Sequence, residues 1–258
     1  MSILNPLFIA FSMYSKVPVP QTEWNEKNMR YALCFFPAVG ALEGLLFYWL
    51  WKLLVLFSMP VLIRGAVLCV FPILYTGGIH MDGFLDTADA LASHAEQKRK
   101  LEILKDSHIG SFAVIAAAAW FVLYFSCCAE LQNEKQILIL AGSFVMSRSY
   151  SGLSLVYFRN ARGSGLAFAF SDAAQKKITR TVLILYVIAD CIYMYGITPM
   201  IGLAAMASAF LLLLYYRIFS YDEFGGITGD TSGFFLEITE LVMMIVIVLA
   251  GQPSVLNG

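Results

Sequence analysis

"VLIRGAVLCVFPILYTGGIHMDGFLDTADAL", residues 61–91, is apolar up to Gly77 and acidic beyond it. The first part, residues 61–79, approaches the roughly 20 apolar residues that cross a bilayer. The second carries Asp82, Asp86 and Asp89, spaced by four and then three. At about 100° per residue in a helix, Asp86 and Asp89 fall within roughly 40° of Asp82, so the three carboxylates face one way. Like charges this close repel, and something positive is expected to hold them. Oxygen ligands so arranged suit a hard cation such as Mg²⁺, which completes its shell with water and phosphate oxygens. Acids also favour helix N-termini, so a solvated helix start would use the same residue type. Three on one face beside an apolar run favour the metal.

The rest of the chain sets this stretch in a membrane. Of 258 residues, 59% are hydrophobic and 14% charged, whereas soluble domains are about 25% charged. A net charge of −1 points neither to nucleic acid nor to a general attraction for anionic surfaces. Cys34, Cys69, Cys127, Cys128 and Cys191 lie in apolar stretches without CxxC spacing, so they read as small core residues rather than disulfides or a zinc site. The opening "MSILNPLFIAFSMYSKVPVP" lacks a basic region and a small-residue cleavage site, and is not read as a signal peptide.

Seven stretches qualify, or nearly qualify, as spans: 33–57, 61–79, 109–129, 136–156, 181–197, 199–217 and 235–251. "GITPM" joins the fifth and sixth as a tight hairpin, with Pro199 opening the second helix. Residues 3–15 read as an interfacial or re-entrant helix. The expected fold is therefore all-α: a polytopic membrane bundle of about seven transmembrane helices plus an N-terminal interfacial helix, forming a single domain, 1–258. One side holds residues 16–30 and the loops 80–108, 157–180 and 218–234; the other holds short turns. Thirteen of the 17 Lys and Arg fall on the first side or at its boundary, which makes that side cytoplasmic. Every motif below lies there.

A second acidic group sits in "DEFGGITGDTSGFFLEITEL", residues 222–241. Asp230 follows a glycine-rich turn containing Gly226, and Glu237 and Glu240 share a broad helix face with it. Backbone N–H groups of such a loop can cradle phosphate, although a plain turn has the same composition. "LEILKDSHIGSFAV" brings Lys105, Asp106, Ser107 and His108 together. "YFRNARGSGLAFAF" supplies Arg159 and Arg162 with Gly163 and Gly165; forked donors and exposed N–H groups suit a diphosphate, while cytoplasmic loops carry Arg for topology alone. His80 precedes Asp82 by two and could contact a phosphate or act as acid or base. Arg148, Glu43 and Asp190 lie inside spans, where a charge is functional by default and a structural Arg148–carboxylate pair is an equal alternative. Together these features suggest phosphoryl-type transfer at a membrane surface, by direct displacement, since no serine, cysteine or lysine has an obvious nucleophile setting.

The blocks "TGGIHMDGFLDTADAL", "LEILKDSHIGSFA", "SRSY…YFRNARGSGLAFAF" and "GGITGDTSGFFLEITEL" resemble, in order, the signature blocks of the cobalamin synthase family, the adenosylcobinamide-GDP ribazoletransferases. "YSKVPVP" followed by "FFPAVGALEG" resembles its opening. The resemblance implies a Mg²⁺-dependent enzyme of the bacterial or archaeal inner membrane, its active site facing the cytoplasm. It would join adenosylcobinamide-GDP to α-ribazole or its 5′-phosphate and release GMP, in the last steps of cobalamin assembly. As further partners the resemblance implies a second copy of the chain, in a homo-oligomer, and other cobalamin-assembly enzymes. Carried over by position, Asp82, Asp86, Asp89 and Asp230 hold metal. His80, Asp106, Glu237 and Glu240 are the catalytic candidates. Lys105, Ser107, Arg148, Arg159, Gly163, Gly165 and Gly226 are the substrate-binding candidates. The chain departs from the family pattern at Lys16, where arginine is usual, at His108 and Ser111, often Arg and Thr, and in "GDTSGF" against "GDTLGA".

Two rival readings remain at this point. A CDP-alcohol phosphotransferase also uses aspartates at helical spacing, but expects DG-x-x-AR followed by G-x-x-x-D-x-x-x-D, which "DGFLDTADA" lacks. A cation-coupled transporter would place its acids near the midplane, whereas most here gather at one surface.

Overall fold

The computed structural model describes residues 4–106 and 108–252, and their regular structure is helical throughout. Ser107 lies outside the described residues. In chain order the helices are α1 (Leu4–Tyr14), α2 (Glu26–Met29), α3 (Phe36–Leu56), α4 (Val61–Thr76), α5 (Ile79–Ala92), α6 (Gln97–Ile103), α7 (Ser111–Glu130), α8 (Glu134–Tyr157), α9 (Leu166–Ala173), α10 (Lys176–Ile197), α11 (Pro199–Phe224) and α12 (Gly229–Ala250), with a 3₁₀ turn at Ala32–Phe35 leading into α3.

Each of the seven expected spans is one of the long helices α3, α4, α7, α8, α10, α11 and α12. Five of the described helices, α3 with its lead-in, α7, α10, α11 and α12, are long and apolar enough to cross a membrane; α4 and α5 together would make a sixth. The expected count of seven is met by α8 in position but not in composition. Its Ser143, Ser147, Arg148, Ser149, Ser151 and Ser154 are all buried, because α8 packs against α3, α10, α11 and α12 and shows these groups to protein rather than lipid. Polar side chains in a span are tolerated when they face the bundle interior. The N-terminal helix α1 has 11 residues, about 16 Å at 1.5 Å per residue, which is too short to cross.

The segment that opens the sequence reading is not one straight helix. α4 and α5 meet at 95°, with Gly77 and Gly78 both left-handed (φ 69° and 78°), a conformation that glycine adopts without a Cβ penalty. Lys16 locks the corner: its backbone N–H donates to Tyr75 O at 2.7 Å, and its side chain lies where a Cβ on Gly77 would be. α5 then runs against α12. A Cβ on Gly83 would stand 2.7 Å from Asp230 O, and one on Gly233 2.8 Å from His80 O, so the two helices touch backbone to backbone. This crossing brings the aspartate block of α5 to the first turn of α12.

Candidate active site

At the end of the bundle where α1, α8, α9, α12 and the α4–α5 corner converge lies a cavity of about 400 Å³. Met13, Tyr14, Phe36 and Leu155 form its apolar walls; His80, Asp82, Arg162, Ser151, Ser164, Thr228, Asp230 and Ser232 supply polar groups. Two helices begin at it. Gly165 precedes α9, whose Leu166 and Ala167 line the cavity, and Thr228 precedes α12, whose Gly229 and Asp230 do the same. Thr228 and Thr231 cap α12 reciprocally, with Thr231 N donating to Thr228 Oγ1 at 3.1 Å and Thr228 N to Thr231 Oγ1 at 2.8 Å. Helix N-termini carry partial positive charge and unpaired N–H groups, which suit an anion.

Asp82 and Asp230 line the cavity; Asp86 does not, but it feels the charge of both. Burial, then the charges of Asp82, Asp230 and Asp89, push the Asp86 carboxyl up to about 6, while Arg162 pulls it back. Asp82, Asp86, Asp230 and Arg162 thus form one electrostatic group. Arg162 pairs with Asp230 at 3.1 Å and donates to Leu101 O at 3.3 Å. Asp89 points elsewhere. Its two oxygens accept from Gly110 N and from Ala113 N, the latter at 2.8 Å, so it caps α7 instead of completing an open set of ligands. Among the described residues, no three His, Cys, Asp or Glu side chains close around one point. Asp82, Asp86 and Asp230 carry carboxylate oxygens, the donor type that a hard divalent cation takes.

The other expected residues divide. His80 lines the cavity, buried between Tyr14 (5.9 Å) and Phe36 (6.0 Å), with Nε2 unpartnered among the described residues. Burial, then the charge of Arg148, holds its imidazole well below the usual histidine range. Gly165 lines the cavity and Gly163 sits in the same loop, with open space around both. Arg159, expected at the diphosphate, is instead spent on the fold: Nε and Nη2 donate to Gly225 O at 2.9 and 2.6 Å, and the guanidinium lies 5.4 Å from the Tyr221 ring centroid. Gly226 serves the same junction, where Ile227 N donates to Arg159 O and Ala161 N to Ile227 O, at 2.9 and 2.8 Å. That pairing carries Arg162, three residues on, to the cavity. Lys105 and Asp106 are exposed in the loop before α7, where Asp106 accepts from His108 N at 3.0 Å and its Oδ1 lies 2.6 Å from His108 Nδ1.

Arg148 and Glu240 do not line the cavity. Arg148 is fully buried, 2.5 Å from Glu43 and 2.7 Å from Glu240, and Ser147 Oγ also donates to Glu240 at 2.7 Å. The ion pair ties α3, α8 and α12 together away from the cavity lining. Glu237 is buried one turn before Glu240 and does not line the cavity either. The structure favours the structural alternative, because a guanidinium this deep needs carboxylate partners. Ser151, Thr228 and Ser232 are cavity groups that the motif reading missed; Thr228-x-x-Thr231 ahead of an apolar run was the available signal for a cap.

A sequence model of the cobalamin-5-phosphate synthase family matches residues 6–248. An adenosylcobinamide-GDP ribazoletransferase of Lachnoclostridium phytofermentans is 42% identical over 250 residues, covering 97% of this chain and 95% of its own. Proteins of the same name from Clostridium perfringens (30% over 236 residues; 90% and 92%) and Listeria monocytogenes (29% over 253; 95% and 98%) are also similar. No solved structure matches. These matches favour neither the CDP-alcohol nor the transporter reading, and with a family model covering nearly its whole length, the chain belongs to the cobalamin-5-phosphate synthase family.

Proposed function

We propose that this chain joins adenosylcobinamide-GDP to α-ribazole or α-ribazole 5′-phosphate, at the end of cobalamin synthesis, with Mg²⁺ held by Asp82, Asp86 and Asp230. The observation that carries the reading is the α5–α12 crossing, which sets Asp82 and Asp230 beside Arg162 and two helix N-termini at one cavity, with Asp86 within electrostatic reach of all three. The family and the names of the relatives supply the substrates. An oxygen of the ribazole hydroxyl attacks the cobinamide-side phosphorus, the bond from that phosphorus to the bridging oxygen breaks, GMP departs with that oxygen, and the hydroxyl proton passes to solvent. Bound Mg²⁺ would offset the charge of the diphosphate. The Arg162 fork and the N–H groups of α9 and α12 bind and orient the diphosphate oxygens. Met13, Tyr14, Phe36 and Leu155 exclude water from the apolar side. The excess of Lys and Arg at this end supports a cytoplasmic cavity in the inner membrane.

The test uses purified protein in lipid nanodiscs, both substrates, and Mg²⁺ present or removed by chelation, following GMP and the corrinoid product. Mg²⁺-dependent formation of both in equal amounts, lost in folded Asp82→Asn and Asp230→Asn, is expected. Absence of turnover by folded wild-type protein would overturn the reaction; full activity in both variants would overturn the assignment of the site.

A further inference from the structure

On the far side of α9 from the catalytic cavity lies a second, larger cleft, about 1070 Å³, between the α2 region and the start of α10. Four cations border it: Lys27, Arg30, Lys176 and Lys177. All four are exposed, and among the described residues none of them forms an ion pair, although Glu26 and Asp172 line the same cleft. Lys176 and Lys177 occupy the first turn of α10, where the helix dipole disfavours positive charge. An outside anion answers both features.

The position says which anion. Arg30 directly precedes the turn into α3, and Lys176 opens α10; both helices are long and apolar enough to cross a membrane. The cleft therefore sits at the level where spans leave the bilayer, on the Lys- and Arg-rich side. Trp24, exposed at its rim, has the amphipathic ring that favours this interface. We propose that the cleft binds the headgroup phosphate of an anionic phospholipid. Charge complementarity and membrane depth favour a lipid over a soluble phosphate.

The consequence reaches the reaction site through contacts. Trp24 packs edge-on to Phe170 (5.8 Å), and Phe170 meets Tyr14 (6.1 Å), a wall of the catalytic cavity. Phe168, Ala169 and Asp172 of α9 line the lipid cleft, while Leu166 and Ala167 line the cavity. A lipid in the cleft braces the short helix whose N-terminus faces the diphosphate site.

The full chain is reconstituted in nanodiscs of phosphatidylcholine alone or with phosphatidylglycerol, and its melting temperature and retained lipids by native mass spectrometry are read without substrates. This separates the proposal from the reaction assigned above. Phosphatidylglycerol is expected to raise the melting temperature by on the order of 3 °C and to remain bound. The effect should vanish in Lys27→Gln/Lys176→Gln/Lys177→Gln, which matches wild type in phosphatidylcholine. An equal rise in that variant, or no rise in wild type, overturns the proposal. A rise in phosphatidylcholine discs given sn-glycerol 3-phosphate would overturn the lipid assignment in favour of a soluble phosphate.

Discussion

Arg162 and Asp230 meet at 3.1 Å over the candidate active-site cavity, joining the loop before α9 to the first turn of α12. This ion pair is partly exposed, and such pairs add about 0–1 kcal/mol to stability. Arg162→Met should therefore leave the melting temperature within a degree or two of wild type. The loss of a forked donor on the diphosphate should lower the rate of GMP release about 10²–10³-fold. Steady-state assays beside thermal melts check this; a variant that melts early and keeps its rate would make the pair structural.

Asp89 separates from its neighbours by the company it keeps. With both oxygens on the N–H groups of α7, Asp89→Ala should cost about 0.5–2 kcal/mol, as for a lost cap. The Mg²⁺ concentration for half-maximal rate should stay at the wild-type value, whereas Asp82→Asn abolishes the rate. A tenfold or larger rise in that concentration for Asp89→Ala would return Asp89 to the metal.

Asp86 is held up to about 6 by burial and three neighbouring carboxylates. A carboxyl raised above its unfolded value loses stability as pH rises through that window, so at pH 7.5 its ionisation works against the fold. Asp86→Asn should then melt above wild type when both lack Mg²⁺, and Mg²⁺ should raise the melting temperature of wild type only. Scanning fluorimetry with and without chelator reads both; a lower melting point for the metal-free variant contradicts the repulsion.

The α5–α12 crossing has no spare room. A methyl on Gly83 would fall 2.7 Å from Asp230 O, a backbone atom that cannot swing aside. Gly83→Ala should cost about 1–3 kcal/mol, and should lower activity further than that loss explains, since it parts Asp82 from Asp230. Restored activity at low temperature, where the variant is fully folded, would refute the second half.

How much of this is legible in the sequence depends on the range of the interaction. The helices, the basic side and the shared face of Asp82 and Asp86 follow from local periodicity. Arg159 and Arg162 differ by three positions in one loop, and only the pairing of that loop with residues 225–227 decides which one reaches the cavity. Asp89 has the spacing of a ligand, but its partner lies 21 residues away, at the start of α7. Arg148 and Glu240 are 92 residues apart, and each alone reads as a functional charge in a span. The 95° corner is written in "GG", yet a pair of glycines signals only that a turn is permitted, not its angle.

The Glu43–Arg148–Glu240 contact also bears on how the protein is made. Its members come from the first long helix, a central one and the last. Until α12 has been made, Arg148 has one of its two carboxylate partners, and its Nη1 lacks the Glu240 oxygen in a medium where unmatched polar groups are costly. The bundle therefore cannot complete its core until α12 has been made. A chain cut short before residue 240 should be recognised as faulty and degraded, whereas two co-expressed halves that together supply all three residues have the means to assemble.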